Sequence, residues 1–138
     1  MESMDGGPEM LHIGAVAERT GMSLRTLRHY DDVGLVSPSA RSEGGFRLYT
    51  EPDVQRILLI RRMKPLGYSL QQMRELLEVT GAMAIPGASE TARDRLAEIS
   101  REAALRREQL GRQVAMADEF LARLEQLAAP AEGPRPGA

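Results

Sequence analysis

A chain of 138 residues with 42 % hydrophobic content has room for one compact domain and an extension. With no cysteine it forms no disulfide, iron–sulfur cluster or thiolate metal site, and with three Tyr, two Phe and no Trp it lacks the material for a large aromatic ligand cage. The net charge of −2 does not single out a nucleic-acid binder, but residues 11–74 carry ten Lys or Arg against six Asp or Glu, the acidity falling in the ends and the C-terminal helix.

The opening MESMDGGPEM lacks the basic and apolar regions of a signal peptide, and no apolar run approaches a membrane span. A cytoplasmic protein without membrane contact, disordered over residues 1–10, is the expectation. Ile13, Val16 and Ala17 then share one face at helical spacing, and Gly21 supplies a residue that reverses the chain at positive φ. Ser23 stands where an N-cap belongs, and Leu24, Leu27 and Val33 give the next helix its buried side. Arg25, Thr26, Arg28, His29 and Tyr30 are left facing outward. An outward face of Arg, Thr and Tyr suits a helix that reads the major groove, with guanidinium groups on guanine edges or phosphates; a solvated helix face is the alternative.

The next segment of the chain favours the groove reader. Gly44-Gly45 permits a tight primed turn, Phe46, Leu48 and Tyr49 have strand-forming character, and Arg41 and Arg47 flank the turn where a wing meets the DNA backbone. Thr50 caps a helix with Glu51 and Asp53 in its first turn, and Pro65 ends or bends that helix at Lys64. Ser69 with Gln72 forms a capping box, and Leu70, Met73, Leu76 and Leu77 form the buried stripe of the helix after it. Arg61, Arg62 and Lys64 make a basic cluster, either a solvated face or a second clamp on the DNA backbone.

Residues 81–90 read as a linker, and residues 91–128 as one long helix free of proline. Leu96, Ile99, Ala103 and Leu110, then Val114, Ala117, Leu121 and Leu124, repeat at steps of three and four and form an apolar stripe, which Arg106 and Gly111 weaken. Such a stripe is buried either by the same helix of a second copy or by docking back on its own domain. Residues 129–138, rich in Pro and Gly, read as a disordered tail.

The strings RTLRHYDDVGLVSP, RSEGGFRLYTEPDV and IRRMKPLGYSLQQMRELL resemble the DNA-binding domain of the MerR family of bacterial transcription regulators over residues 11–80. The resemblance implies a mostly α fold: a winged helix-turn-helix domain with a small β-hairpin wing, followed by a long dimerisation helix in an antiparallel coiled coil. It implies DNA contact by Arg25, Arg28 and Tyr30 on the recognition helix and by Arg47 and Tyr49 on the wing; Ser23, Thr26 and His29 on the same helix, Arg41 beside the turn, and Arg61 and Lys64 of the basic cluster are expected to join them from their positions in the sequence. His29 departs from the aromatic residue usual there, leaving phosphate contact or packing against the wing as its role.

The family's mode of action, binding a palindromic promoter operator as a homodimer and bending an overlong spacer so that RNA polymerase engages both promoter elements, is implied in the same way. Metal-sensing members place Cys ligands near the end of the dimer helix, and this chain has none; His12 and His29 lie in the DNA-binding half. No metal or cofactor is expected, and any small-molecule effector is expected near Met83, Ile85 and Phe120. An architectural or excisionase-like DNA binder and a coiled-coil interaction adapter are the alternative functions. No nucleophile–base pair, phosphate loop or carboxylate pair occurs at a useful spacing, so an enzyme is not expected.

Overall fold

Ser23, Thr50 and Ser69 each stand just before a helix and accept a backbone N–H from three residues on, and these caps set the punctuation of the chain. The computed structural model describes residues 9–130; the disorder expected over 1–10 and 129–138 falls outside them, apart from two residues at each inner edge. The chain order is β1 (Leu11–His12), α1 (Ile13–Thr20), α2 (Leu24–Asp32), β2 (Ala40–Arg41), β3 (Arg47–Tyr49), α3 (Glu51–Met63), α4 (Leu70–Met83) and α5 (Glu90–Ala128).

Gly21 closes α1 in the left-handed region at φ 72°, its N–H bonded to the Ala17 carbonyl, so α1 and α2 form the expected helix-turn-helix. Pro65 acts as expected: α3 stops at Met63, and Lys64–Leu66 tighten into a 3-10 turn before Gly67. Capping boxes form at Thr50 with Asp53 and at Ser69 with Gln72. Helix α4 reaches Met83, three residues into the stretch expected as a linker, and α5 begins at Glu90.

The strands form one antiparallel sheet in the order β1-β3-β2, with Leu11 opposite Tyr49, Ala40 opposite Leu48 and Arg41 opposite Arg47. Two-residue β1 is too short to leave an alternating pattern in the sequence. The wing turn is also not the primed turn expected from Gly44-Gly45. Only Gly45 has positive φ, the Gly45 N–H bonds the Ser42 carbonyl at 2.8 Å, and the Ser42 N–H bonds the Phe46 carbonyl at 2.9 Å, which is a three-residue turn ending in a left-handed bulge.

The core lies between the sheet and α1 to α4, around the fully buried Val16, Leu27, Tyr49, Val54, Ile57 and Ile60. Two residues placed in it by periodicity are displaced: Leu24 and Leu70, each the first residue of its helix, are 39 % and 36 % exposed. Their burial is replaced by Leu35, Val36 and Tyr68, which lie outside the regular helices where periodicity carries no signal.

Among the charged groups of this core Asp53 stands out, fully buried on α3. Its carboxylate accepts the Ser39 N–H and hydroxyl and the Thr50 N–H, and pairs with Arg56, so it caps α3 and pins the loop leading to β2. Burial opposes its charge, but these donors together hold its pKa below the ordinary 3.8.

Helix α5 runs unbroken for 39 residues, about 58 Å at 1.5 Å per residue. The molecule divides into two compact units after Ile99. Leu96 and Ile99, expected on a dimer seam, belong to the first unit: Ile99 is a buried core residue with Leu96 packed against that core, and Arg95 of α5 pairs with Glu75 of α4 at 2.7 Å. In the second unit Val114, Leu121 and Leu124 are exposed by 59, 58 and 42 %, Ala117 is exposed, and Ala103 and Leu110 are partly covered.

Asp53→Asn should destabilise the chain by about 2 kcal/mol, the cost of leaving buried donors without their charged acceptor, measured by urea denaturation. Because the folded pKa of Asp53 lies below the unfolded one, the wild-type advantage is full above the ordinary value of 3.8 and shrinks as pH falls below it. An advantage that instead grew as the pH was lowered would contradict the assignment.

Candidate nucleic-acid interface

Ser23 caps α2 by accepting the Thr26 N–H at 3.0 Å, and its hydroxyl donates to the Thr26 hydroxyl at 2.9 Å. The first turn of the candidate reading helix is thereby fixed with Leu27 inward and Arg25, Arg28 and His29 exposed. Tyr30 is corrected by the structure. It is 5 % exposed and its carbonyl accepts the N–H groups of Leu35 and Val36, so it closes α2 onto the core and offers no surface to DNA. Burial alone raises its pKa. His29 lies on the surface with its ring 6.3 Å from that of Tyr30.

The wing is corrected in the same sense. Tyr49 is completely buried and its pKa is pushed up, first by burial and then by the charge of Asp31. Arg47 shares that face of β3, and its Nε donates to Asp31 Oδ2 at 2.7 Å. Arg41 reaches the same oxygen at 3.3 Å and the Gly45 carbonyl at 3.1 Å, but half of its side chain stays in solvent. Burial works against the Asp31 charge; hydrogen bonds from Arg47 and Ser37 and the two nearby guanidinium charges outweigh it and lower the pKa. The large apolar residue that the wing exposes is Phe46, 67 % accessible, with its ring edge against Gly44. Alternation along a strand is the signal that separates Phe46 from Arg47 and Tyr49, but three residues are too few for it to be read.

The basic residues therefore fall into two groups. Arg19 is held by Glu51 through two bonds of 2.7 and 2.9 Å, Arg56 by Asp53, Arg74 by the Val33 carbonyl at 3.1 Å, and Arg41 and Arg47 by Asp31. Glu51 is correspondingly held at a pKa of about 2 by the Arg19 hydrogen bonds and by Gln55. By contrast Arg25, Arg28, Arg61, Arg62 and Lys64 are exposed and form no ion pair among the described residues. Arg61 lies over the helix-turn-helix turn: a Cβ built on Gly21 would sit 3.7 Å from its guanidinium. Free cations thus flank the turn from both α2 and the end of α3.

These features, a capped helix over a glycine turn, free arginines on its outer face and a three-stranded wing, coincide with a family pattern. Residues 11–80 match the family model described as the MerR HTH family regulatory protein. The chain belongs to the MerR family. Residues 11–80 carry the helix-turn-helix of this family of transcription regulators. Over 71 residues it is 44 % identical to the nodulation protein NolA of Bradyrhizobium elkanii, covering 51 % of this chain and 32 % of that one. Over 70 residues it is 43 % identical to the transcriptional regulator ZntR of Escherichia coli K12, covering 51 % of this chain and 50 % of that one. The MerR-family chain thus spans from a third to a half of these relatives' lengths.

Among solved structures it resembles HiNmlR, a MerR family regulator lacking the sensor domain and bound to promoter DNA, with 28 % identity, a TM-score of 0.61 and 86 % of each chain covered. It also resembles the N-terminus of the Bacillus subtilis multidrug transporter activator, with 28 % identity and a TM-score of 0.51 over 86 % of this chain and 99 % of that one.

Among the described residues no group of three or more His, Cys, Asp or Glu is placed to hold a metal ion, and no helix is long and apolar enough to cross a membrane. A groove of about 430 Å³ lies between the start of α3 and the end of α4, lined by Pro52, Gln55, Leu77, Thr80 and their neighbours. Met83 and Ile85, expected near an effector, do not line it.

Ser23→Ala should cost about 1 kcal/mol of stability through loss of the α2 cap, measured by thermal or chemical denaturation; an unchanged midpoint would mean that the cap does not hold α2.

Proposed function

We propose that this protein binds a palindromic promoter operator as a homodimer and regulates transcription by distorting the spacer between promoter elements. The observation that carries the DNA-binding half is the division of its arginines. Arg25 and Arg28 stand free on the outer face of a helix whose inner face is closed by Leu27 and Tyr30, while neighbouring cations are consumed by acids. A free guanidinium at a helix N-terminal half reads guanine edges; Arg61 and Lys64, beside the turn, suit phosphates. Thr26 and His29 are assigned to the same surface, and Ser23 contributes by holding its geometry. Arg41 is assigned to the backbone at the wing, with Phe46 as the exposed apolar tip; Tyr30 and Tyr49 are not assigned to DNA.

The dimer half rests on the uncovered stripe of α5. Val114, Ala117, Leu121 and Leu124 leave an apolar face that one helix does not bury alone, and a second copy with the same stripe is the partner of matching length and periodicity. A two-fold protein reads a two-fold site and doubles its phosphate contacts. The likeness to HiNmlR, whose structure is a complex with promoter DNA, supports the promoter as target, and spacer distortion is the step by which RNA polymerase gains both elements.

Arg25→Ala should reduce discrimination between a duplex selected from random sequence and a scrambled one by about 1–3 kcal/mol, whereas Lys64→Ala should weaken both alike and lower the salt slope by about one. Fluorescence anisotropy across a salt series checks this, and equal losses on both duplexes for Arg25→Ala would remove it from base readout. In the full chain, Leu121→Glu with Leu124→Glu should give a monomer in sedimentation velocity without loss of helix content, since both side chains are exposed within one chain. A dimer that survived both charges would remove this stripe from the interface.

A further inference from the structure

Asp31 occupies a position that its own helix disfavours. It lies in the last turn of α2, where the helix dipole is negative and an acid is unfavourable, and its side chain is only 13 % exposed. The wing is unfavourable by itself too. The register of β2 and β3 places Arg41 directly opposite Arg47, a like-charge cross-strand pair, in a hairpin ladder of two residue pairs. Isolated hairpins of that size are marginal in water. The two defects cancel at one atom: Asp31 Oδ2 accepts Arg47 Nε at 2.7 Å and Arg41 Nη2 at 3.3 Å, while Arg41 Nη1 donates to the Gly45 carbonyl at 3.1 Å and closes the turn.

We propose that Asp31 is a positioning residue that neutralises the Arg41–Arg47 repulsion and fixes the wing tip relative to the recognition helix, so that an acid close to the DNA-facing surface strengthens DNA binding. The proposal rests on the DNA-binding reading above for its affinity consequence, but not for its consequence in the free protein. Arg47, one quarter exposed, is the permanent strut. Arg41, half exposed and on the longer bond, is the cation that turns to phosphate when DNA arrives.

Asp31→Asn separates this role from simple electrostatics by sign. It removes a negative charge and releases two arginines, so if charge alone mattered it would bind DNA more tightly and with a steeper salt dependence. As the positioning residue, its loss should weaken binding to a duplex selected with the wild-type chain by about tenfold, with a salt slope shallower by about one. Asp31→Glu, which keeps the carboxylate, should recover most of the affinity. Arg47→Lys, which keeps the charge but not the Nε donor, should reproduce the Asn defect; a plain phosphate contact would tolerate lysine.

In the full-length free protein, amide exchange at Ser42 and Gly45 should accelerate in Asp31→Asn while that of α3 is unchanged. Equal or tighter DNA binding by Asp31→Asn, or unchanged exchange at Ser42 and Gly45, would overturn the proposal. Failure of the wild-type chain to bind any selected duplex would overturn the DNA-binding reading instead, and the exchange result would still decide the role of Asp31 in the wing.

Discussion

What the surface can offer to DNA is decided by the inward face of β3. Successive residues of a strand point to opposite sides, so placing Tyr49 in the core at full burial brings Arg47 to the same side, against Asp31 of α2. One register therefore fixes three things: the anchor of the sheet under the helices, the angle between wing and α2, and the exposure of Phe46 at the tip. A slip of one residue would send Tyr49 to solvent and bring Leu48 inward, so the burial of one aromatic ring specifies the register of the whole wing.

Charge is rationed by the same geometry. Locally residues 11–74 are rich in basic side chains, yet half of these ten cations join elements of the fold. Arg19 ties α1 to α3 through Glu51, Arg56 serves the buried Asp53, and Arg74 reaches from α4 to the carbonyl of Val33 at the end of α2, a favourable place for a cation at a helix C-terminus. Exposed pairs such as Arg19–Glu51 contribute little stability, because water screens them. Their effect on the interface is larger, because an arginine held by a carboxylate is removed from the pool that a polyanion meets. The net charge of −2 is thus a poor guide to the face that carries Arg25, Arg28, Arg61, Arg62 and Lys64.

Most of the helical framework is legible in the sequence because its signals are local. Ser23, Thr50 and Ser69 cap, Gly21 and Pro65 terminate, and each acts within one turn of itself. The sheet is half legible, since β1 has two residues and exists only because Leu11 finds Tyr49 across the fold. The candidate site is legible by residue type but not by role. Arginine beside a turn reads as a phosphate contact until the acid facing it is known, and nothing local says that Asp31 lies between Arg41 and Arg47. Tyr30 and Tyr49 are misplaced for a related reason: tyrosine is at home both on a wet surface and in a core, and only packing chooses between them.

The same division between local and tertiary information runs along α5. Its periodicity is continuous, and from sequence Leu96 and Ile99 belong with Leu110, Leu121 and Leu124 on one stripe. Tertiary packing cuts that stripe at Ile99. The first turns of the helix are consumed by the domain, through Ile99 in the core and Arg95 on Glu75, while Ala103 and Leu110 are partly covered and Val114, Ala117, Leu121 and Leu124 remain exposed within one chain. Within the first unit Arg95 of α5 donates to Glu75 of α4, and the adjacent residue, Arg74, donates to the Val33 carbonyl at the end of α2. Two adjacent residues of α4 thus bind the start of α5 and the end of α2, so both helix ends are fixed within the first unit through α4.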